Sequence, residues 1–320
     1  MKPYPLKFQP EMKERVWGGR ALEQFGFDLP EGRIGEAWTI GDHANGTTRV
    51  VGGELDGLGL NEVREQHGAE FFGSKGYSQD ARFPLLIKLL DCQDDLSVQV
   101  HPNDHYEKLP AGELGKTEMW YVLSAKPGAK IIYGLKDGVG REELAKAIDE
   151  GRIMDSLQEV SVEAGDSFYI PAGTVHALCA GVLVAEIQQN SDTTYRLYDY
   201  NRPGLDGKPR ELHVEDSLNV IAYEGSGATR LKTNNAEPNA WLELAHSPYF
   251  ITEKGVVAKP WSLSTSPDTF TILVICDGSG KLSWEDGEAE LAPGECYLLP
   301  ASLGSYTLDG KMTVLRSYLP

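Results

Sequence analysis

Basic residues are scarce in this chain. Its 320 residues hold 30 Lys and Arg against 48 Asp and Glu, a formal net charge of −18. That balance argues against a nucleic acid or an anionic membrane held by general electrostatics, because both need a basic face. A small anion in a local basic pocket stays compatible with it. Cysteine is also scarce: Cys92, Cys179, Cys276 and Cys296 are the only four, and none forms a Cys-x-x-Cys pair. A dense disulfide framework and a thiolate zinc site are thereby excluded, which fits a reducing compartment. No apolar run reaches the roughly 18 residues that a membrane span needs. Residues 1–10 lack the apolar core and cleavage pattern of a signal peptide. The expectation is a cytoplasmic protein without a membrane or nucleic-acid partner. A hydrophobic fraction of 41% and a charged fraction of 24% are ordinary for a globular chain. The length suggests two domains, or one large one.

Glycine (35) and proline (18) recur throughout and cut the apolar residues into short runs. Phe83-Pro-Leu-Leu-Ile-Lys-Leu-Leu90, Met119-Trp-Tyr-Val-Leu123, Ala129-Lys-Ile-Ile-Tyr133, Ser167-Phe-Tyr-Ile170 and Val182-Leu-Val-Ala-Glu-Ile187 are examples. Such runs between turn formers read as strands, and many of them at short spacing predict an all-β sandwich or barrel. Two stretches differ. Residues 60–72, with Asn61 as cap, and 141–157 carry apolar residues near helical spacing and read as helical insertions. The polar stretch 229–238 is the best linker. The chain also repeats weakly: Gly-x5-Pro-Ala occurs at 165–172 and again at 294–301. The first copy continues to His176, whereas the second continues to Ser305 and has no histidine. Two related β units, of which only the first keeps polar chemistry, is the simplest account.

Ser97-Val-Gln-Val-His101 reads as a strand, so Ser97, Gln99 and His101 leave one face and Val98 and Val100 the other. The same rule puts Lys116 and Glu118 together, and a turn at 171–175 delivers His176 to a strand start. Two imidazoles, one carboxylate and one amide oxygen form a four-ligand set that suits Zn²⁺, and also Fe²⁺ or Mn²⁺. A lone histidine is more often a packed or surface residue, and His43, His67, His105, His213 and His246 receive that reading. Lys88, inside an apolar run, either snorkels or serves a ligand.

The combination matches a known pattern. Gly165-x5-Pro171-x-Gly173-x2-His176 resembles the second cupin motif, and Gln99-x-His101 followed by Glu118 resembles a stretched first motif. With Trp17-Gly-Gly19, Gly35-Glu-Ala-Trp38 and Gly115-Lys-Thr-Glu-Met-Trp120, the chain resembles the type I mannose-6-phosphate isomerases in their short bacterial form. The motifs are strong from about residue 15 to 205, and beyond that only the degenerate second β unit continues the likeness. The resemblance implies a mainly β bicupin, two jelly-roll-like barrels with short helical insertions. Residues 1–235 would form the catalytic metal-binding domain, and 236–320 a second, degenerate one. It implies one Zn²⁺ held by His101, Glu118 and His176, with Gln99 ranked below these three. The family's catalytic arginine falls on Arg196, and its proton-transfer candidates fall on Glu186 and Lys116. The groups near the substrate phosphate fall on Ser97, Lys88 and Arg202. The spacing from His176 to Arg196 is one residue longer than in the longer members.

The implied activity is the interconversion of mannose 6-phosphate and fructose 6-phosphate through a cis-enediol. That chemistry asks for a Lewis acid, a cation beside the enediolate and one base that takes and returns a proton. Two other readings share the residues: another cupin metalloenzyme such as a non-haem iron dioxygenase, and a sugar-phosphate-binding module without turnover. The cationic set Lys88, Lys116, Arg196 and Arg202 favours a phosphosugar over the former. The joint presence of metal and proton-transfer groups favours an enzyme over the latter.

Overall fold

The short apolar runs form antiparallel strands in a computed structural model that describes residues 1–79 and 81–320. Seven strands make one sheet in the order Thr229–Lys232, Asp166–Ile170, Glu118–Ala125, Val182–Gln189, Leu85–Cys92, Ile34–Ile40, Glu11–Gly19. A five-stranded sheet runs Leu157–Ser161, Lys130–Leu135, His176–Leu178, Val98–Val100, Tyr195–Tyr198. Side chains from both sheets meet in one core, which includes Leu90, Trp120, Phe168 and Val184 of the first and Ile131 and Leu178 of the second. No pairing among the described residues joins the two into a closed barrel.

Two-residue periodicity decides what each face of the larger sheet carries. In Leu85–Cys92, Leu85, Ile87 and Leu89 enter the core on the outer face, while Leu90 and Cys92 enter the core between the sheets. Lys88 shares parity with the latter pair. Glu118 and Glu186 keep company with Trp120 and Val184 in the same way. Register completes the alignment: Glu186 stands opposite both Lys88 and Trp120, and Gln188 opposite Glu118. In the smaller sheet His176 stands opposite Gln99, and Gln99 opposite Arg196. Polar side chains from separate runs are thereby gathered at one end of the inter-sheet space.

A nine-stranded sheet is built mainly from residues beyond 240 and includes the long strands Thr271–Trp284 and Ser305–Tyr318. It also takes in the N-terminal strand Leu6–Gln9, which pairs with Cys296–Leu299 and Arg49–Val50. The outer-face core packs Leu6, Leu298 and Phe270 against Leu85, Ile87 and Ile187.

Several local readings change. The first helix spans Leu60–Gly76 and starts after Gly59, not at Asn61; Glu62 accepts the Gly59 N–H at 2.6 Å. The 141–157 stretch divides into a helix, Arg141–Asp149, and a 3-10 turn, Ile153–Ser156, because Gly151 sits at φ 70° between them. The linker region opens with a strand, Thr229–Lys232, that pairs with Asp166–Ile170. A third helix, Val214–Val220, was not foreseen.

Candidate metal centre

Among the described residues, one group of side chains has metal-ligand spacing: His101, Glu118 and His176, whose donor atoms lie within 4.8 Å of one another. All three are buried. His101 Nδ1 is 2.9 Å from the Thr193 carbonyl, and His176 Nδ1 is 2.9 Å from the Thr174 carbonyl. A carbonyl only accepts, so each Nδ1 carries the proton and each Nε2 turns its lone pair to the centre. This is how metal-binding histidines are usually oriented. Burial, seconded by the Lys116 charge, holds the His101 pKa down at about 3, and burial lowers that of His176. Both rings are thus neutral donors at pH 7.

Glu118 Oε1 lies 3.3 Å from His176 Nε2, and Oε2 lies 3.5 Å from His101 Nε2. Among the described residues neither oxygen has a partner in hydrogen-bond geometry, although both are buried. The Lys116 ammonium approaches Oε2 to 2.6 Å as an ion pair, off hydrogen-bond geometry. Burial opposes the Glu118 charge, yet Lys116 and the two imidazoles hold its carboxyl well below the usual range. The Lys116 ammonium also lies 3.2 Å from His101 Nε2, so a cation already stands among these donors. Two imidazole lone pairs, with a buried carboxylate whose Oε1 has no donor among the described residues, fit a divalent cation. The Gln99 amide, 3.3 Å from His176 Nε2, adds a fourth polar group.

A cleft of about 680 Å³ opens beside the triad. Gln99, Lys116, Glu186, Lys88, Ser97 and Arg196 all line it. Glu186 accepts the Trp120 indole N–H at 2.8 Å and faces Lys88 at 3.4 Å and Lys116 at 3.8 Å. Burial, with the Glu118 charge behind it, raises its pKa. Burial works against the Lys116 charge, but Glu118 and Glu186 outweigh it and raise that pKa. Arg196 reaches Ser97 Oγ at 3.3 Å and the Glu211 carbonyl at 2.8 Å. Arg202 is not among the lining residues; its guanidinium is bonded to Asp199 at 2.9 and 3.0 Å.

Sequence reasoning missed Glu36 with its partner Arg15, and Arg210, on this wall. Glu36 accepts from Arg15 at 2.6 Å and from the Trp38 indole at 2.7 Å, and stands 3.6 Å from Lys88. Carboxylates and ammoniums therefore alternate along a line through Arg15, Glu36, Lys88, Glu186, Lys116 and Glu118. The Gly35-Glu-Ala-Trp38 motif contained Glu36, and a carboxylate in a buried strand was the available signal. Arg210 lines the cleft as well, and nothing in its surrounding sequence singles it out.

Residues 6–123 match the family model of the type I phosphomannose isomerase catalytic domain, and residues 242–319 match that of the mannose-6-phosphate isomerase cupin domain. Mannose-6-phosphate isomerase ManA of Bacillus subtilis is 40% identical over 326 residues, covering 100% of both chains. The mannose-6-phosphate isomerase of Streptococcus mutans is 39% identical over 324 residues, covering 98% of each. The crystal structure of mannose 6-phosphate isomerase from Bacillus subtilis superposes with a TM-score of 0.88 at 36% identity, over 98% of this chain and 99% of that one. Likeness of this extent, with both domain models matched in order along one mainly β chain, means that the chain belongs to the type I phosphomannose isomerase family.

Proposed function

We propose that this chain is a metal-dependent aldose–ketose isomerase that interconverts mannose 6-phosphate and fructose 6-phosphate through a cis-enediol. The observation that carries this is the triad of His101, Glu118 and His176, beside a cleft lined by Gln99, Lys116, Glu186 and Arg196. His101, Glu118 and His176 would hold the metal, with Gln99 beside them, and the nitrogen–oxygen donor set suits zinc. The metal, when bound, supplies Lewis-acid polarisation of a substrate oxygen.

The remaining work falls to side chains. Moving a proton between C1 and C2 needs one base on one face of the sugar. Glu186 fits that task, because burial raises its affinity for a proton while Trp120 fixes its orientation. Lys116 is the alternative carrier. In this structure its raised pKa keeps it protonated, so it fits better as the cation that steadies Glu186. Arg196 can stabilise negative charge on the enediolate. Ser97 and Lys88 are the proposed phosphate contacts on the cleft wall; Arg202, which the resemblance named with them, is bonded to Asp199 and does not line that wall. We also read the architecture as a bicupin of two jelly-roll-like units, 1–235 and 236–320. Cytoplasmic residence accords with four free cysteines, all buried.

The test is turnover of mannose 6-phosphate before and after chelation, with Zn²⁺ restored last. Activity that disappears with the chelator and returns with metal supports the reading. A folded, metal-loaded sample without turnover would sink it.

A further inference from the structure

Residues 199–211 leave the strand Tyr195–Tyr198 and run along one wall of the cleft. Asp199 begins the segment. Its side chain is only 5% exposed and accepts from two arginines. Arg202 reaches Oδ1 alone, through Nε and Nη2. Arg210 spans both oxygens, Nε to Oδ2 and Nη2 to Oδ1, each at 2.6 Å. Burial opposes the Asp199 charge, but the two guanidiniums outweigh it and lower its pKa.

Two guanidiniums around one carboxylate leave a surplus cation. Arg196 adds another: among the described residues it has hydrogen-bond partners but no carboxylate partner. Burial and then the Arg210 charge lower its pKa, so this end of the cleft is short of negative charge. Asp206 and Glu211 also lie on this wall. Glu211 is 84% exposed, and Asp206, exposed too, accepts the Lys208 N–H at 3.0 Å; water screens both.

The two clamped arginines are not equivalent. Arg202 lies off the cleft, with its guanidinium 5.5 Å from the Tyr200 ring centre. Arg210 lines the cleft. Its fork to Asp199 uses Nε and Nη2, which leaves Nη1 and one Nη2 hydrogen without a partner among the described residues. A guanidinium held along one edge by a carboxylate presents a fixed second edge, which suits the bidentate capture of a phosphate. Gly204 permits this arrangement, since a Cβ there would stand 3.2 Å from Arg210 Cγ.

We propose that Arg210, oriented by Asp199, grips the phosphate of the sugar phosphate and so sets the preference for phosphorylated substrate. This rests on the isomerase reading above. It makes Arg210 a binding residue and Asp199 a positioning residue.

The experiment uses the metal-loaded full chain and two probes, mannose 6-phosphate in turnover and inorganic phosphate in calorimetry. Arg210→Gln should raise KM and weaken phosphate binding by about 10- to 100-fold, as expected for lost charge-assisted hydrogen bonds. Its kcat should stay within about threefold. Arg210→Lys should recover part of the loss. KM and phosphate affinity within twofold of the unmodified protein would overturn the proposal. Loss in Arg202→Gln but not in Arg210→Gln would overturn it as well. Should Arg210→Gln fail to fold, Asp199→Asn keeps both arginines and loosens the clamp. It should raise KM severalfold at constant kcat, and an unchanged KM counts against the proposal. Calorimetry separates the two readings: phosphate binding that depends on Arg210 upholds this site even in a protein that does not isomerise mannose 6-phosphate.

Discussion

At Gly165 the chain turns through a φ of 90° into the strand Asp166–Ile170, then Pro171-Ala172, and arrives at His176. At Gly294 it turns through a φ of 84°, forms Cys296–Leu299, then Pro300-Ala301, and arrives at Ser305. The backbone device is the same and the interiors differ. His176 is fully buried at the head of its strand, among polar groups. Ser305 is exposed, and the inward place is taken by Leu303, packed with Leu273, Ile275, Leu299 and Val314. The contrast is general. Among the described residues, Lys254 is the one buried charged side chain beyond residue 235, while Glu36, Lys88, Lys116, Glu118 and Glu186 all lie before it. Buried charge is a poor source of stability and apolar packing a good one. Buried charge thus gathers before residue 235, and the residues beyond it add an apolar core against the outer face of the seven-stranded sheet.

If this division is real, the largest effect comes from the residue the two copies do not share. His176→Ala should lose metal, measured by elemental analysis. It should lower turnover by about 10³-fold, the equivalent of several kcal/mol of Lewis-acid stabilisation. Normal metal content in that variant would break the comparison at its root. Arg196→Ala comes next. It should keep its metal and lose about 10²- to 10³-fold in kcat, as when a preorganised charge partner is removed. Near-normal turnover would remove Arg196 from the enediolate.

A third effect is on stability, and it carries a pH signature. Burial alone would raise the Glu36 pKa, but Lys88 and Arg15 outweigh it, and the group sits at about 2 rather than its ordinary 4.5. A depressed carboxyl contributes stability that is present above the unfolded value and lost as pH falls through the folded one. Glu36→Gln should therefore cost about 3 kcal/mol near pH 7. The gap to the unmodified protein should close between about pH 4.5 and pH 2. Urea unfolding across that range tests it. A gap independent of pH would mean that Lys88 and Arg15 do not hold Glu36 ionised in the folded protein.

Legibility in the sequence followed the range of the forces involved. Strands such as Leu85–Cys92 and Val182–Gln189 were visible because apolar residues and glycine turns act locally. The triad was visible because His101, Glu118 and His176 fall on motifs that resemble those of the cupins; two-residue spacing adds only that Gln99 shares a face with His101, and Lys116 with Glu118. Glu36 and Arg210 were not. Glu36 meets Lys88 only because Ile34–Ile40 and Leu85–Cys92 pair with Trp38 opposite Lys88. Arg210 faces the cleft only because Asp199, eleven residues earlier, turns it there. The resemblance named Arg202 instead; both arginines bond Asp199, and of the two Arg210 lines the cleft. The helical spacing of 60–72 did not reveal that glycines at φ 47° and 75° interrupt Leu60–Gly76, a segment held by the packing of Val63, Phe71 and Phe72 in the outer core.

The smallest expected effect is the most pointed test of the comparison. Ser305 occupies the place of His176 after the second turn, and it is exposed at the start of Ser305–Tyr318. Ser305→Ala should change stability by less than about 0.5 kcal/mol, as surface substitutions usually do, and leave turnover within twofold. Ser305→His should restore the letter of the motif without restoring its function. An imidazole holds a metal only with partners, and the neighbouring interior offers Leu303, Leu308 and Tyr306 rather than a carboxylate or a second ring. Metal content should stay at that of the unmodified chain. A second equivalent of tightly bound zinc in Ser305→His would show that the C-terminal unit had lost only its histidine. The expected single equivalent would show that it had lost the whole constellation.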